Sequence, residues 1–534
     1  MHGSEYDLQS IHSFVSLMFR CESDFRDDEI ARLQLLSNIA NLEPDIPIQK
    51  FICLLYQISS RLDFAEPSNP SIEPILFRVV NRMALAFPFH VVYQLISLKH
   101  CDSLQEVSKH SGRLQVVEEI LCSMIDRWGK EVELCIRFSE TCSKLDQLAQ
   151  KHAVQHKDSQ LSRSKNLTFK ASFLNKGMHG VVLPTVVLPN SNLLEGENGF
   201  DSEKVNSFDA KVRFTDTGLR IPIIVRAQLC SGLTHDFLVK NSDDLRQDAV
   251  MQQIFVLACH ILTLDGECVK RQLSLRTYKV APLYPDLGCI EFVSDATSLG
   301  SVLVPLHDKY SPGLSYSESR SMLSKATIRN RLQVFEHVCS IVRPVFHFYF
   351  LECHADVRSW LQNRSLFSRS VAVNSMVGHI LGLGDRHMSN ILIDKETAEI
   401  INIDLGVAFD QGKFFKTPEI VPFRLTRDIV DGMGIWGFEG QFHQACIHTL
   451  RILRDHRELI LTLLDVLMFD PLFKWTTSPS RNKNSNDDDP LVDKNVSVGQ
   501  EEAQRAISGV QQKLEGIEDF DSLSVDGQVN LLVG

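Results

Sequence analysis

The sequence predicts an α+β protein in which a helical array precedes a small β-rich lobe and a larger helical lobe. Three observations predict this fold class. Residues 1–160 carry apolar residues at helical spacing, residues 168–293 are dominated by alternating β-branched stretches, and helical spacing returns after Val302. A chain of 534 residues is too long for one ordinary hydrophobic core, so we expect several units.

The composition is that of an average soluble protein, with 44% hydrophobic and 23% charged residues. The net charge of −12 argues against a broad basic surface for nucleic acid, so no direct nucleic-acid binding is expected. The chain starts without a signal-peptide pattern, and its 13 cysteines form no Cys-x-x-Cys motif. We therefore expect a soluble intracellular protein with reduced thiols and no membrane contact.

Local patterns predict the individual elements. Apolar residues at helical spacing, among them Val117 and Met124, predict one amphipathic helix over residues 114–148, and a second helix is predicted over 243–264. Residues 189–206 and 478–498 are predicted to be polar connections, and residues 501–514 an amphipathic helix. Strands are predicted at residues 181–183, 186–188, 221–225, 273–280, 289–293, 391–393 and 400–403.

The most informative segment joins an Asp-Arg-His loop to a following Ile-Asp-Leu-Gly. Alone, the first is usually a loop ion pair and the second a strand end with a turn. Together, with β segments between them, they predict an active site for phosphoryl transfer, which needs a proton acceptor and oxygen ligands for Mg²⁺. Asp385 is the predicted acceptor, Asn390 and Asp404 the metal ligands, and His387 a stabiliser of phosphoryl charge.

Gly384-Asp-Arg-His-x-x-Asn390 followed by Asp404-Leu-Gly406 resembles the catalytic and metal-binding loops of the phosphatidylinositol 3-kinase-related protein kinases. Residues 404–413 and 417–434 resemble the activation segment of the ATM branch of that family. The resemblance implies a bilobal PI3K/PI4K-like kinase. Its implied parts are a FAT-like segment (1–160), an N-lobe (165–300), a C-lobe (301–478), a polar loop (479–499) and a helical tail leading into a truncated FATC region (500–534).

The same resemblance implies a nucleotide site. Lys240 would bind an ATP phosphate and act in catalysis, Asp248 would pair with it, and Asp243 would lie near the nucleotide. Gly218 lies where the family has the turn that covers the phosphates. The segment 216–222 contains only this one glycine, which by itself indicates no more than a turn. The implied adenine contacts are Tyr278, Ile290, Glu291, Phe292 and Val293.

The acceptor is predicted from charge. Between Asp404 and Pro422 the segment holds only two lysines, Lys413 and Lys416, which favours a peptide over an inositol phosphate headgroup. The resemblance implies ATP with Mg²⁺ or Mn²⁺, Ser or Thr before Gln, DNA-damage signalling in the nucleus, sensor proteins bound by missing upstream repeats, and a homodimer through the FAT region. A phosphoinositide kinase and an inactive kinase-like scaffold are the alternatives.

Two departures from the family pattern qualify this reading. Asn402 stands where the family commonly has His, which leaves any role of that His in doubt. The last residues resemble the beginning of the FATC helices, so we expect a fragment of a longer protein. Whether such a fragment is active alone stays open.

Overall fold

The computed structural model describes residues 4–24, 28–63, 71–102, 111–156, 168–186, 203–215, 222–241, 245–354, 356–468 and 492–534. The chain divides into two compact units, which are each discontinuous in sequence. The first unit comprises Met1–Gln253, Tyr278–Ser294 and Leu461–Lys474; the second comprises Ile254–Thr277, Asp295–Ile460 and Trp475–Gly534.

The first unit begins with a helical array whose core is formed by large buried side chains such as Phe19, Phe51 and Phe138. The single helix predicted over residues 114–148 is wrong: Gly129 has a φ of 53° and separates two helices, because that left-handed conformation ends a right-handed helix. The helices are α1 Ser4–Asp24, α2 Glu29–Leu42, α3 Leu55–Ser60, α4 Glu73–Ala86, α5 Pro88–Asp102, α6 Ser111–Trp128 and α7 Lys130–His156.

The first unit also holds an antiparallel sheet with the strand order β1-β3-β4-β5-β7-β6, in which β2 pairs with β4. The strands are β1 Thr168–Lys170, β2 Val205–Phe208, β3 Lys211–Phe214, β4 Ile223–Leu229, β5 Thr234–Asn241, β6 Val280–Tyr284 and β7 Leu287–Glu291.

Some strand predictions are corrected. Residues 273–279 are irregular and strand β6 starts at Val280, because burial of Leu273 and Leu275 imitates the apolar alternation of a strand. In residues 181–183 only Val182 forms a bridge, with Lys204. Residue 186 lies in a turn, and 187–188 fall outside the described residues. Strand β2 begins inside the predicted polar connection.

Helix α8 (Arg246–Leu264) starts in the first unit and ends in the second. Within the described part of the chain, its segment Leu245–Leu264 is the one helix long and apolar enough to cross a membrane. Of its most apolar stretch, 61% is buried inside the protein. Residues 243–244, with which the predicted helix began, lie outside the described residues.

The second unit is mainly helical and surrounds a three-stranded antiparallel sheet with the order β10-β9-β8. The second half of α14 is buried throughout, from Ser370 to Ile380, and supports the loop that leads into β9. The elements are α9 Gly266–Lys270, β8 Ala296–Ser298, α10 Leu299–Tyr310, α11 Tyr316–Lys325, α12 Arg331–Ile341, α13 His347–Cys353, α14 Val357–Ile380, β9 Ile391–Asp394, β10 Ile400–Asn402, α15 Arg427–Gly432, α16 Gln441–Asp455, α17 Arg457–Met468 (which ends in the first unit), α18 Val492–Glu515, β11 Ile517–Glu518, β12 Asp521–Ser522 and α19 Val525–Val533.

One loop prediction is also corrected. Residues 492–499 belong to helix α18, although their polar composition predicts a loop, while residues 478–491 lie outside the described residues. A helix anchored downstream by buried Ile507, Val510 and Leu514 extends readily through polar residues, since its solvent face accepts them. The proposed domain boundaries stay a prediction.

Candidate active site

The predicted site residues fall into two sets. Lys240, Asp248, Tyr278 and residues 290–293 belong to the first unit, whereas Asp385, His387, Asn390 and Asp404 belong to the second. Gly218 and Asp243 lie outside the described residues.

The loop between α14 and β9, residues 381–390, runs beside the segment that follows β10. Four backbone hydrogen bonds join them, among them Gly384 N–H to Val407 C=O at 3.0 Å and Ile403 N–H to Asn390 C=O at 3.0 Å. Gly382 has a φ of 58°, and a Cβ there would collide with the backbone nitrogen of Asp410. The Asp-Arg-His loop and the Ile-Asp-Leu-Gly segment therefore form one structure, as their joint occurrence in the sequence predicts.

Asp385 lies in this loop with a left-handed φ of 55°, an uncommon conformation for a non-glycine residue that aspartate adopts more readily than most. Its N–H donates to Glu419 Oε2 at 2.9 Å, and its carbonyl accepts from Asn390 Nδ2 at 3.0 Å. Burial raises the pKa of the Asp385 carboxyl, and the negative charges of Glu419 and Asp404 add to this, whereas His387 and Arg386 oppose it. Such an environment suits a carboxylate that accepts a proton.

Asn390 and Asp404 are the predicted metal ligands. Asn390 is 6% exposed, and its amide nitrogen bonds to Asp385, so its amide oxygen points away from that residue. Asp404 follows β10 with a φ of 57° and an exposed side chain. One amide oxygen and one carboxylate fit a hard divalent cation, which takes its other ligands from water and phosphate oxygens. Within the described ranges no cluster of three or more His, Cys, Asp or Glu offers a site complete in protein ligands.

Arg386 ties the loop together, a role that the sequence analysis missed. Its guanidinium donates to the carbonyls of Gly384 at 2.8 Å, Ile403 at 2.9 Å and Asp404 at 2.5 Å. A planar fork of five N–H donors can serve several carbonyls at once. The position of Arg386 between Asp385 and His387 is the only signal that pointed to it.

His387 is exposed, and its Nδ1 accepts a hydrogen bond from the N–H of Ser389 at 3.2 Å. Because Nδ1 accepts this bond, the ring proton belongs on Nε2. A donor at Nε2 is what stabilisation of phosphoryl charge requires.

Asn402, which departs from the family pattern, connects strand β10 to helix α14. Its side chain is buried and donates from Nδ2 to Asn374 Oδ1 on α14 at 3.1 Å. Asn374 in turn donates to the carbonyl of Ser370 at 2.8 Å. Asn402 therefore joins β10 to the helix beneath it and leaves Asp404 two residues further along.

In the first unit, the register of the sheet places two of the predicted nucleotide residues, Lys240 and Ile290, on one face. Lys240 on β5 lies opposite Gly288 on β7, and Leu238 lies opposite Ile290. Because paired residues of antiparallel strands point to the same face, Lys240 and Ile290 share a side of the sheet. On the other face the α7 helix covers the sheet: the rings of Phe237 and Phe138 lie 5.9 Å apart, and Cys289 Sγ is 3.9 Å from Cys142 Sγ.

Gly288, which lies opposite Lys240, is closely packed: a Cβ there would lie 2.6 Å from the carbonyl oxygen of Ala281 and 2.9 Å from Leu245 Cδ1. Lys240 is half-buried, and Asp248 is buried in the first turn of α8. These positions agree with a phosphate-binding lysine at the end of a strand, while the predicted pairing of Lys240 with Asp248 stays a prediction.

The predicted adenine wall is β7 and its continuation. The N–H of Glu291 donates to Lys279 C=O at 2.8 Å and the N–H of Phe292 to Asp236 C=O at 3.1 Å. Because the N–H of Glu291 is already used in the sheet, the predicted hydrogen bond between Glu291 and adenine would have to come from its carbonyl oxygen. Tyr278 is buried, with its N–H bonded to Gln252 Oε1 at 3.1 Å, while Phe292 and Val293 are half-buried.

Comparison with known proteins adds independent information. A family model described as phosphatidylinositol 3- and 4-kinase matches residues 234–477. The serine/threonine-protein kinase ATM of Arabidopsis thaliana is 34% identical over 99% of this chain, which spans 14% of that relative.

Solved structures agree. The FAT and kinase domain of CtTel1 superposes with a TM-score of 0.79 and 30% identity, covering 99% of this chain and 36% of that one. A CtTel1 dimer with C2 symmetry gives a TM-score of 0.80 at 30% identity, covering 99% of this chain and 19% of that one. The predicted α+β fold with a bilobal kinase is thereby confirmed.

Proposed function

We propose that the chain is an ATP-dependent serine/threonine protein kinase of the ATM and Tel1 type, because residues 234–477 match the phosphatidylinositol 3- and 4-kinase family model and the chain is 34% identical to a protein kinase named ATM. The observation that carries the proposal is the arrangement of Asp385, Asn390 and Asp404 on two loops fixed by Arg386. Phosphoryl transfer needs a proton acceptor and oxygen ligands for a metal ion close together, and these two adjoining loops supply both.

The proposed roles follow from these positions. Asp385 accepts the proton of the acceptor hydroxyl, and its left-handed backbone holds the carboxylate in place. Asn390 and Asp404 would hold a divalent cation, Mg²⁺ or Mn²⁺, which supplies charge neutralisation to the phosphates. His387 donates from Nε2 toward developing charge, and Lys240 binds an α- or β-phosphate. The adenine would lie against Ile290 and its neighbours on β7, and Gly218, Asp243 and Asp248 keep their predicted nucleotide roles.

A protein acceptor is favoured by charge in the activation segment. Lys413, one of its two lysines, already lies 3.5 Å from Asp410 Oδ2. Glu419 adds a negative charge beside Asp385. Little positive charge is left for a polyphosphorylated inositol headgroup, so a phosphoinositide kinase is the weaker candidate despite the name of the family.

The finer proposals rest on similarity to proteins named ATM and Tel1. We propose Ser or Thr before Gln as the acceptor site, a role in DNA-damage signalling and a nuclear location. Dimers are described for Tel1, so a homodimer through the FAT-like segment is part of the proposal. The chain spans about a seventh (14%) of the ATM relative, and sensor proteins are proposed to bind the remaining length.

The test is phosphate transfer by the purified chain with ATP and Mg²⁺. A peptide containing Ser-Gln should be phosphorylated, and the same peptide with Ala-Gln should not. Asp385→Ala and Asp404→Ala should each lower kcat by about 10²–10⁴-fold or more while the fold persists. Removal of Mg²⁺ by a chelator should stop transfer reversibly.

Three outcomes would contradict the proposal. Activity in the purified Asp385→Ala, Asp404→Ala double variant would remove the catalytic assignment. Transfer to phosphatidylinositol vesicles and not to the peptide would identify a lipid kinase. Binding of a fluorescent ATP analogue without transfer to either acceptor would indicate a kinase-like scaffold.

A further inference from the structure

Glu419 lies in the activation segment, yet its carboxylate is directed toward the catalytic loop. It accepts the hydrogen bond from the N–H of Asp385 across 34 residues of sequence, at 2.9 Å. Its own N–H donates to the carbonyl of Gly412 at 3.0 Å, which turns the segment back on itself. The neighbouring residues 413–418 and 420–421 are exposed, whereas Glu419 is half-buried.

Two glycines form the walls around this carboxylate. A Cβ at Gly384 would lie 2.6 Å from Glu419 Oε2, and a Cβ at Gly412 would lie 2.5 Å from the same atom. Gly412 is not in a left-handed conformation, so the lack of a side chain there is explained by space and not by backbone. We name the space between Gly384 and Gly412 the glycine slot.

Two hydrogen bonds hold the backbone of Asp385 in its left-handed conformation. Aspartate is one of the few non-glycine residues that reach this conformation readily, so these contacts fix the residue there without having to offset a large strain. The carbonyl of Asp385 is held by Asn390, in its own loop. Its N–H is held by Glu419, the only one of these two contacts that comes from the activation segment.

We propose that Glu419 is a positioning residue for the kinase reaction: its carboxylate, in the glycine slot, holds the backbone of Asp385 and makes the active loop depend on a folded activation segment. This inference rests on the proposed kinase function. The simpler alternative is a solvated acid that only repels anionic acceptors. That alternative gives no reason for a carboxylate oxygen to lie against two glycines and an amide.

Steady-state kinetics distinguish a positioning role of Glu419 from that of a solvated acid. Glu419→Ala should lower kcat about 10²-fold, the size of effect that a small misplacement of a catalytic group produces, and leave the KM for ATP unchanged. Glu419→Gln keeps an oxygen acceptor of the same reach and should recover most of that loss. Gly412→Ala should reproduce the loss with Glu419 intact, because its Cβ fills the slot.

Glu439→Ala is the matched control, since Glu439 is an exposed acid in the connection between α15 and α16, outside the segment that holds Glu419. It should keep the kcat of the unmodified chain. An unchanged kcat in Glu419→Ala would overturn the inference, and so would an equal loss in Glu419→Gln and Glu419→Ala. A rise in the KM for ATP in parallel with the loss of kcat would also overturn it, because it indicates general misfolding.

Amide hydrogen exchange tests the positioning role of Glu419 with a readout that does not depend on phosphate transfer. In Glu419→Ala and in Gly412→Ala, amides of residues 381–390 should exchange faster, while those of buried α14 and of the sheet in the first unit should not change. Unchanged exchange at 381–390 would reject the positioning role. If the unmodified chain transfers no phosphate but the exchange result holds, the proposed function fails and the structural role of Glu419 stands.

Discussion

At the scale of single residues, the sequence predicts which side chains form the candidate site but not the contacts that hold them in place. Asp385, Asn390 and Asp404 follow from side-chain type and order along the chain. Arg386 does not, because its partners are backbone carbonyls, which every residue carries and which no sequence pattern marks. The positive φ values of Asp385 and Asp404 could not be predicted either, because an aspartate side chain does not require a left-handed backbone.

The contacts of Arg386 give a first prediction. Lysine in Arg386→Lys keeps the charge but presents a single point donor, which cannot reach the carbonyls of Gly384, Ile403 and Asp404 together. We expect kcat to fall at least about tenfold and the Mg²⁺ concentration for half-maximal activity to rise, since metal-supporting contacts typically contribute about 10–100-fold. Titration of activity with Mg²⁺ at saturating ATP measures both.

The exposed Arg358 provides the control, and Arg358→Lys should keep both parameters. Full activity with an unchanged Mg²⁺ requirement in Arg386→Lys would show that the three carbonyl contacts do not support the site.

Asn402 gives a second prediction at this scale. Asn402→Ala leaves the amide oxygen of Asn374 buried without its donor, which should cost about 1–3 kcal/mol of unfolding free energy. The Mg²⁺ requirement should stay unchanged, because the carbonyl of Asp404 is held by Arg386. Denaturant unfolding and the same Mg²⁺ titration test these outcomes, and a large change in the Mg²⁺ requirement would assign Asn402 to the metal site.

At the scale of elements, sequence patterns located periodic segments well and their interruptions poorly. Strands β9 and β10 were found within one residue, since apolar β-branched residues fill both. The break between α6 and α7 was missed because the apolar face continues on both sides of Gly129, and one glycine within a helical pattern is tolerated. The start of α18 was missed because polar residues suit a helix surface as well as a loop.

The helix break gives a third prediction. Gly129→Ala places a Cβ in a left-handed conformation, which should cost about 1–2 kcal/mol and lower the thermal midpoint by a few degrees. Gly266→Ala in α9 is the control, since no atom lies within 4 Å of its added Cβ and its φ is ordinary. Scanning calorimetry of both variants measures the difference. Equal midpoints for Gly129→Ala and the unmodified chain would mean that α6 and α7 can be joined without strain.

At the scale of the whole chain, remote segments complete the structure around the candidate site. In the second unit, Lys513 on α18 donates to both carboxylate oxygens of Asp410, at 3.0 and 2.9 Å, and to the carbonyl of His379 at 2.9 Å. Asp410 itself bonds to Gly382 in the catalytic loop region. Lys513 and Asp410 are 103 residues apart, and no local pattern could have paired them.

This ion pair gives the last prediction. Lys513 is 9% exposed but the Asp410 side chain is 30% exposed, so removal of one partner should cost about 1.5–3 kcal/mol, as for a hydrogen bond to a charged group, and less than for a fully buried pair. Lys513→Met and Asp410→Asn should each destabilise the second unit by an amount of that order. The double variant should lose less than the sum of the two, and a double-mutant cycle by denaturant unfolding measures the coupling. Additive losses would show that the two charges act independently.

The pair should also set the acid limit of stability. Burial alone raises the pKa of Asp410, but the ammonium of Lys513 outweighs it and the pKa lies below the usual 3.8. A lowered folded pKa means that the carboxylate stabilises the fold fully above the usual value and loses this contribution as the pH falls through the lowered one. In Lys513→Met only burial and the weaker contact with Lys413 remain, so acid unfolding should begin at a higher pH than in the unmodified chain. An acid transition at the same pH in both proteins would mean that the charge on α18 does not control Asp410, and that α18 stabilises this segment by packing alone.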